Sequence, residues 1–220
     1  MSLKLFLGLD SRQKNFHITV IILKGSTVRY SDNHKAETRQ RIIAKAAEEF
    51  RRNGLNGIGI ANLMSTLGLT HGGFYAHFKS KDDLISEASA LILQENLGRM
   101  LEVAAAAPAD RRLDTILDKY LSPQHRDNPA MGCALPSLVQ ELSRRPDAVR
   151  NTFTKSIDSV FTRLAAFMPG DTDEARKSHA IALLSGMAGA VQMARAVTDR
   201  TLSDRILTSA RKSFSRCFTG

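Results

Sequence analysis

The sequence predicts an all-α protein of about nine helices, and three observations lead to this fold class. From Ser31 onward, apolar residues recur at the three- and four-residue spacing of amphipathic helices. Glycine and proline stand between these segments, where helices are expected to end. The chain has 220 residues with 43% hydrophobic and 24% charged side chains, as in ordinary soluble globular proteins. This length suits one large domain, or a small domain joined to a larger one.

Residues 1–34 differ from this pattern and are predicted to form an N-terminal extension of uncertain structure. The stretch "FHITVIILKGSTVRY" is rich in β-branched and aromatic residues, and Lys24-Gly25-Ser26 predicts a turn between two short strands. Its longest aliphatic run, "VIIL", is too short to span a membrane. Because no secretory signal is recognised and there are only two cysteines, we expect a cytoplasmic protein with reduced thiols.

Three helices are predicted next, at about residues 35–53, 60–67 and 70–78. The first has an apolar face formed by Ile42, Ile43, Ala46, Ala47 and Phe50. Gly54 suits its C-terminal end, and Gly68 ends the second helix. Thr70 is a suitable N-cap for the third helix. Two short helices joined by a glycine turn, behind a longer supporting helix, indicate a helix-turn-helix domain over residues 35–82.

The rest of the chain, residues 83–220, is predicted to be a larger helical domain. A long helix at 81–107 has Asp82 and Asp83 in its first turn, where the helix dipole favours acidic groups. The later helices are expected at about 110–122, 134–144, 147–168, 172–198 and 202–218. Residues 122–132, with Pro123 and Pro129, are predicted to be the longest loop.

The positive charge is concentrated in the helix-turn-helix segment. The formal net charge is +9, and residues 35–81 hold eight basic and three acidic side chains, a net charge of +5 in that segment alone. A basic head on a nearly neutral body favours binding of a polyanion. A solvated basic face without a partner remains an alternative on charge alone.

The tip of the third helix is predicted to contact double-stranded DNA. In helix-turn-helix proteins the second helix of the pair enters the major groove, where its N-terminal residues meet the bases. Glycines lower helix propensity but let the backbone approach DNA closely. The candidates for reading base edges are Thr70, His71, Gly72 and Gly73. The candidates for binding phosphates are Tyr75, His77, Lys79 and Lys81.

Other interpretations of these side chains stay open. Tyr75 and His77 could be packing residues, and the two lysines could be solvated loop charges. Gly72-Gly73 could belong to a loop, which would shorten the third helix by a turn. A metal site is not expected, because His71 and His77 do not share a helix face and no cysteine lies near them.

The segment "LGLTHGGFYAHFKSKDDL", within residues 36–90, resembles the DNA-binding domain of the TetR family of transcriptional repressors. The resemblance implies a homodimer whose recognition helices read a palindromic operator. It also implies a C-terminal domain that holds a small-molecule effector and dimerises through its last two helices. Relatives often contact DNA from the start of the second helix through Ser, Thr or Arg. Here those positions hold Gly59, Ile60 and Ala61, so contacts from that helix are in question, with Asn62 as the remaining candidate.

The C-terminal domain offers its own indications of these roles. In "HAIALLSGMAGAVQMARAV", small residues permit close helix approach and larger apolar residues supply contact area, which favours a dimer interface. An internal packing seam is the alternative. The absence of Trp and the apolar bias favour an apolar or amphipathic effector. No cofactor is expected.

Cys133 is a candidate redox-sensing residue, in "NPAMGCALPS". A helix N-terminus beside it would lower the pKa of its thiol and favour reaction with oxidants or electrophiles. A small buried packing residue is the simpler interpretation.

Taken together, the sequence predicts a homodimeric transcriptional regulator, most simply a repressor released by a small molecule, and not an enzyme. A constitutive DNA-binding dimer without a ligand response is one alternative. An enzyme that uses the helical body is another alternative. Against it, the only histidines in residues 82–220 are His125 and His179, and this segment contains no nucleophile motif.

Overall fold

The protein is described by a computed structural model that covers residues 27–133 and 135–219. Within these residues the secondary structure is entirely helical, which confirms the predicted fold class. There are ten α-helices and two short 3-10 turns in this part of the chain. The helices are α1 (Thr27–Asn53), α2 (Ile60–Thr66), α3 (His71–Phe74), α4 (Lys81–Ala106), α5 (Arg112–Tyr120), α6 (Pro123–Asp127), α7 (Leu135–Leu142), α8 (Asp147–Ala165), α9 (Asp173–Ala196) and α10 (Arg200–Thr219).

The chain divides into two compact units, residues 1–38 and 39–220. The described part of the first unit is the beginning of α1, from Thr27. The second strand predicted in the N-terminal extension, "TVRY", is therefore wrong, since these residues are helical. Because these residues extend a helix that already exists, they do not bear the free-energy cost of helix nucleation. This advantage outweighs their local β propensity. The first predicted strand and the turn at 24–26 lie outside the described residues.

The segment at 122–132, predicted to be a loop, contains α6 and a 3-10 turn at Pro129–Met131. Each begins with a proline, which is favoured at the first helical position because its missing N–H would have no partner there. The hydroxyl of Ser122 caps α6 by accepting a hydrogen bond from the His125 N–H at 3.1 Å. This short helix was missed because five residues are too few to show helical periodicity.

A first hydrophobic core belongs to the helix-turn-helix region of residues 39–220. Its largest fully buried side chains include Phe50, Phe74 and Phe78, packed with Leu63 and Met64 of α2. The two turns around it are made by Gly54 (φ +76°) and Gly68 (φ +70°), in a conformation that favours glycine. Phe74 and Phe78 therefore form the inward side of the α3 segment.

A second core fills the C-terminal body, and α4 runs from one core to the other. Ile92 belongs to the helix-turn-helix core, and the next residue, Leu93, belongs to the body core. The body core is built mainly from α4, α5, α8, α9 and α10, with Leu135 of α7 also in it. The division of the chain at residues 82 and 83 stays a prediction. No described helix has the length and apolar character needed to cross a membrane.

The helices α9 and α10 pack against each other through a small residue. A Cβ added to Gly186 would lie 2.4 Å from Cζ of Phe214, so this glycine lets the Phe214 ring reach the α9 backbone. At Gly189, one turn further along, an added Cβ would meet no atom within 4 Å. Gly186 therefore belongs to the internal seam that the sequence left as an alternative, whereas Gly189 faces open space.

Candidate functional site

The N-terminus of α3 is capped by Thr70, as predicted. Its hydroxyl accepts a hydrogen bond from the Gly73 N–H at 3.2 Å. The helix is shorter than the predicted span of residues 70–78, because it ends at Phe74 and continues as a tight turn with bonds from Tyr75 to Gly72 and from Ala76 to Gly73. Two consecutive glycines explain the short helix, since each costs about 1 kcal/mol of helix propensity relative to Ala.

The inner side of this segment is fixed by Arg39 of α1. The rings of Phe74 and Phe78 stack at a centroid distance of 5.3 Å. The Arg39 guanidinium lies over Phe78, 4.6 Å from the ring centre, and forms a two-pronged ion pair with Glu87 of α4. Its Nε also donates to the His77 carbonyl at 3.4 Å. The hydrogen bond to Glu87 is the main cause that raises the pKa of Arg39.

The outer side of the tip is open. Thr70, His71 and Gly72 are exposed. A Cβ on Gly72 would meet nothing within 4 Å, whereas one on Gly73 would lie 3.3 Å from the Thr70 hydroxyl. The two glycines therefore differ: Gly73 leaves room for the cap, and Gly72 leaves the helix tip bare for an approaching molecule.

The four predicted phosphate contacts occupy different environments. Tyr75 is 58% exposed, with its ring edge-on to Phe74. Lys79 is exposed, and its N–H donates to the Asp83 carboxylate at 3.1 Å. His77 is half-buried, so only part of its side chain is accessible to a phosphate.

Lys81 is held by the chain itself. Its Nζ donates to the Ile58 carbonyl at 2.7 Å, across the turn between α1 and α2. Burial lowers the pKa of Lys81, and the neighbouring Arg145 lowers it further. Lys81 thus braces the turn in this structure, and its phosphate contact, like the other DNA contacts, stays a prediction. Among the described residues, no group of three or more potential ligands could hold a metal ion.

A cavity of about 850 Å³ lies in the C-terminal body, between α4, α5 and the α6 region. Its lining mixes apolar with polar side chains: Leu97, Met100, Tyr120 and Cys133 with Asn96, Arg99, Asp118, Lys119, Ser122, Gln124, His125 and Asn128. The sequence did not single out the polar part of this wall, because much of it lies on α6. The α6 segment is held to α10 by Arg126, which is buried and donates to the Ser203 hydroxyl at 2.7 Å.

His125 forms the polar end of the cavity wall. Its Nε2 accepts a hydrogen bond from the Cys133 N–H at 3.0 Å, so Nδ1 carries the proton and donates to the Tyr120 carbonyl at 2.7 Å. Burial lowers the pKa of His125, and the charge of Arg195 lowers it further. Arg195 donates to the His125 carbonyl and to the Ser137 hydroxyl, both at 2.9 Å.

Cys133 is buried in this wall, and its thiol differs from the expectation. Its Sγ accepts a weak hydrogen bond from the Leu135 N–H at 3.5 Å. Burial raises the pKa of Cys133, so the expected lowering by the helix N-terminus is outweighed by loss of solvation. Burial and the neighbouring thiol also raise the pKa of Tyr120 well above its ordinary value. A role in redox sensing stays a prediction.

Known proteins resemble this chain in sequence mainly around the helix-turn-helix. The family described as "Bacterial regulatory proteins, tetR family" matches residues 42–88. The HTH-type transcriptional regulator AcrR of Shigella flexneri is 37% identical over 75 residues, 34% of each chain. The HTH-type transcriptional repressor DhaR of a Mycobacterium species is 25% identical over 119 residues, 53% of this chain and 58% of DhaR. The matches thus span about a third and just over half of these curated relatives.

Solved structures resemble it over most of its length. A TetR-family regulator from Agrobacterium tumefaciens has a TM-score of 0.66 at 18% identity, covering 84% of this chain and 100% of that one. The reduced form of Escherichia coli NemR has a TM-score of 0.66 at 19% identity, covering 83% and 97%. At these identities the similarity establishes the fold.

Proposed function

We propose that this chain, a member of the TetR family of bacterial regulatory proteins, is a homodimeric, sequence-specific DNA-binding repressor of transcription that a small molecule releases from its operator. The curated relative DhaR is itself described as a repressor. The proposal places the protein in the cytoplasm, where it meets DNA, and assigns it no catalytic activity and no cofactor.

The open tip of α3 is the observation that carries the DNA-binding proposal. Gly72 removes the side chain that would separate the backbone from a base edge, and Thr70 and His71 flank it in solvent. Tyr75, one turn behind, is exposed and carries a hydroxyl that can donate to a phosphate oxygen. The Arg39 contacts fix the other side of the same segment, so the tip is presented by a rigid support.

The proposed dimer uses the exposed face of α9, together with α10. At four-residue spacing, Ile181, Ser185, Gly189 and Met193 form one stripe on α9. Ile181 is 41% and Met193 is 59% exposed, which is unusual for large apolar side chains on one helix face. The open space at Gly189 lets a second helix approach closely. A two-fold axis here would present two α3 tips to a palindromic operator.

The proposed effector site is the 850 Å³ cavity, whose volume suits a small organic molecule. Leu97 and Met100 offer an apolar surface, while Asn96, Arg99 and Gln124 offer hydrogen-bond donors. This mixture favours an amphipathic effector over a purely apolar one. An electrophile that entered the cavity would also meet the Cys133 thiol, which lines it.

Selection from a random pool tests the DNA-binding proposal. Purified protein is mixed with random duplexes at physiological salt, and the bound duplexes are sequenced and titrated over a range of salt concentrations. We expect a palindrome whose log affinity falls with log salt at a slope of roughly −5 to −9, as for six to ten phosphate contacts. Weak binding without sequence preference would contradict the proposal. A palindrome that no small molecule releases would indicate the constitutive alternative.

A further inference from the structure

The short helix α7 belongs to both hydrophobic cores. Leu135, at its first residue, packs with the C-terminal body together with Cys133. Leu138 and Leu142, one and two turns later, are buried in the helix-turn-helix core. Within eight residues, α7 therefore leads from the wall of the cavity to the region that supports α2 and α3. Because packed cores resist deformation, a shift at one end of such a helix displaces the other end.

The C-terminal end of α7 holds the turn between α1 and α2. Both carboxylate oxygens of Glu141 accept the Leu55 N–H, at 3.2 and 3.1 Å. Gly54 makes this approach possible, since a Cβ there would lie 2.5 Å from the Glu141 carboxylate. Just beyond the helix, Arg145 donates to the Asn56 side chain at 2.6 Å. The turn that precedes the recognition pair is thus fastened to the body by side chains of the α7 segment.

The N-terminal end of α7 begins at the cavity. Gly132 lines the cavity, and the next residue donates its N–H to His125. A Cβ on Gly132 would lie 2.8 Å from Cδ2 and 2.9 Å from Nε2 of His125, so a methyl group there must separate the two segments. Ser137, one turn into α7, accepts a hydrogen bond from Arg195 at 2.9 Å. A ligand that displaced His125 would therefore move the start of α7.

We propose that Glu141 is the positioning residue that couples the cavity to the DNA-binding tip, by transmitting movement of α7 to the Leu55 amide. This inference rests on the proposed function for its biological meaning. Its structural content is separate: a disturbance at Gly132 reaches Leu55 through α7 and Glu141. The two can be tested apart, because the Leu55 amide is observable without DNA.

The experiment measures hydrogen exchange of the Leu55 amide by NMR in the full-length chain. Gly132→Ala supplies the disturbance at the cavity, because its added methyl group must push Gly132 and His125 apart. We expect Gly132→Ala to reduce Leu55 protection by at least about fivefold, the lower end of typical coupling between sites. Glu141→Ala, which removes the acceptor, should do the same. Glu141→Gln keeps one acceptor oxygen and should retain most of the protection. The buried Leu184 amide of α9 reports global unfolding.

Matched variants separate coupling from general destabilisation. Gly98→Ala places a methyl group 3.5 Å from the Arg163 guanidinium, an ordinary contact, and should leave Leu55 unchanged. Gln140→Ala, at the exposed neighbour of Glu141, should also have no effect. If Gly132→Ala does not fold, Ser137→Ala provides a milder disturbance by removing the acceptor of Arg195 on α7.

The selected duplex then supplies a second readout. Gly132→Ala and Glu141→Ala should each weaken operator binding by at least about fivefold. The double variant should match Glu141→Ala alone within about twofold, because both changes act on one connection. The proposal would be overturned if Leu55 protection fell in Glu141→Ala but not in a folded Gly132→Ala variant. It would also be overturned if Glu141→Ala left Leu55 protection unchanged. Failure of the unsubstituted chain to bind any duplex would refute the proposed function, while Leu55 exchange would still decide the coupling.

Discussion

Replacement of Arg39 by Met should destabilise the protein more than the same replacement at Arg52, although both arginines lie on α1 and pair with a glutamate. Arg39 is 31% exposed, contacts Glu87 on a different helix and covers the Phe78 ring. Arg52 is 58% exposed and pairs with Glu48 of its own helix at 3.3 Å. Met keeps the apolar stem and the helix propensity in both cases.

The magnitudes follow from these contacts. A partly exposed ion pair contributes up to about 1 kcal/mol, and a cation over an aromatic ring about 0.5–1 kcal/mol. Arg39→Met should therefore lower the free energy of unfolding by about 1–2 kcal/mol. A pair four residues apart on a helix surface contributes only about 0.3–0.5 kcal/mol, which sets the expected loss for Arg52→Met.

Urea unfolding of both variants, at one fixed protein concentration, measures the difference. The concentration must be held constant because the stability of the proposed dimer would depend on it. Equal losses for the two variants, or a loss below about 0.5 kcal/mol for Arg39→Met, would refute the assignment of Arg39 as the support of the α3 segment. Raised salt should reduce both losses, because the charges are partly exposed.

Three further predictions concern the C-terminal body. Gly186→Ala should cost about 1–3 kcal/mol of stability by overpacking, partly offset by the higher helix propensity of Ala. Gly189→Ala should instead leave the fold intact but weaken the proposed dimerisation, as measured by analytical ultracentrifugation. Burial lowers the pKa of His125 below its ordinary value of 6.5, so the unfolded chain binds the proton first as the pH falls. The free energy of unfolding should therefore decline below about pH 6.5 and level off below the folded-state pKa. In thermal melts, His125→Asn should flatten this decline. With the pKa of buried Cys133 raised and Cys217 exposed, N-ethylmaleimide should modify Cys217 first by mass spectrometry; faster modification of Cys133 would contradict this order.

The helices with long apolar periodicity were predictable from the sequence, and the short ones were only partly so. The first turn of α4 was predicted from Asp82 and Asp83. The structure shows in addition that the Ser80 hydroxyl caps this helix by accepting a hydrogen bond from the Asp83 N–H, a contact that apolar periodicity does not reveal. α3 was predicted too long because Phe74 and Phe78 are spaced as on one helix face. In the structure α3 ends at Phe74, and the following turn, which Gly72 and Gly73 favour, keeps Phe78 on the same side. Spacing reports which side is buried, but not where hydrogen bonding changes.

The connections between distant segments could not be predicted, because they depend on side chains far apart in the sequence. Nothing near Glu141 indicates that it accepts the Leu55 N–H. Lys81 was predicted to bind a phosphate, and the sequence gives no sign that the fold brings the Ile58 carbonyl to its Nζ. Cys133 was expected to have a lowered pKa from its place before α7, and the surrounding wall reverses this by removing water. In each case tertiary packing outweighs the local signal.

A single added charge tests most directly whether the α3 tip faces DNA. Gly72→Glu adds a carboxylate at a position where an added Cβ meets nothing within 4 Å, so the fold should be unaffected. Ser159→Glu adds the same charge to an exposed site on α8. Binding of the selected duplex should weaken at least about tenfold for Gly72→Glu and change less than about twofold for Ser159→Glu, since like charges repel at close range. Unchanged affinity in Gly72→Glu, with an unchanged melting temperature, would contradict the account.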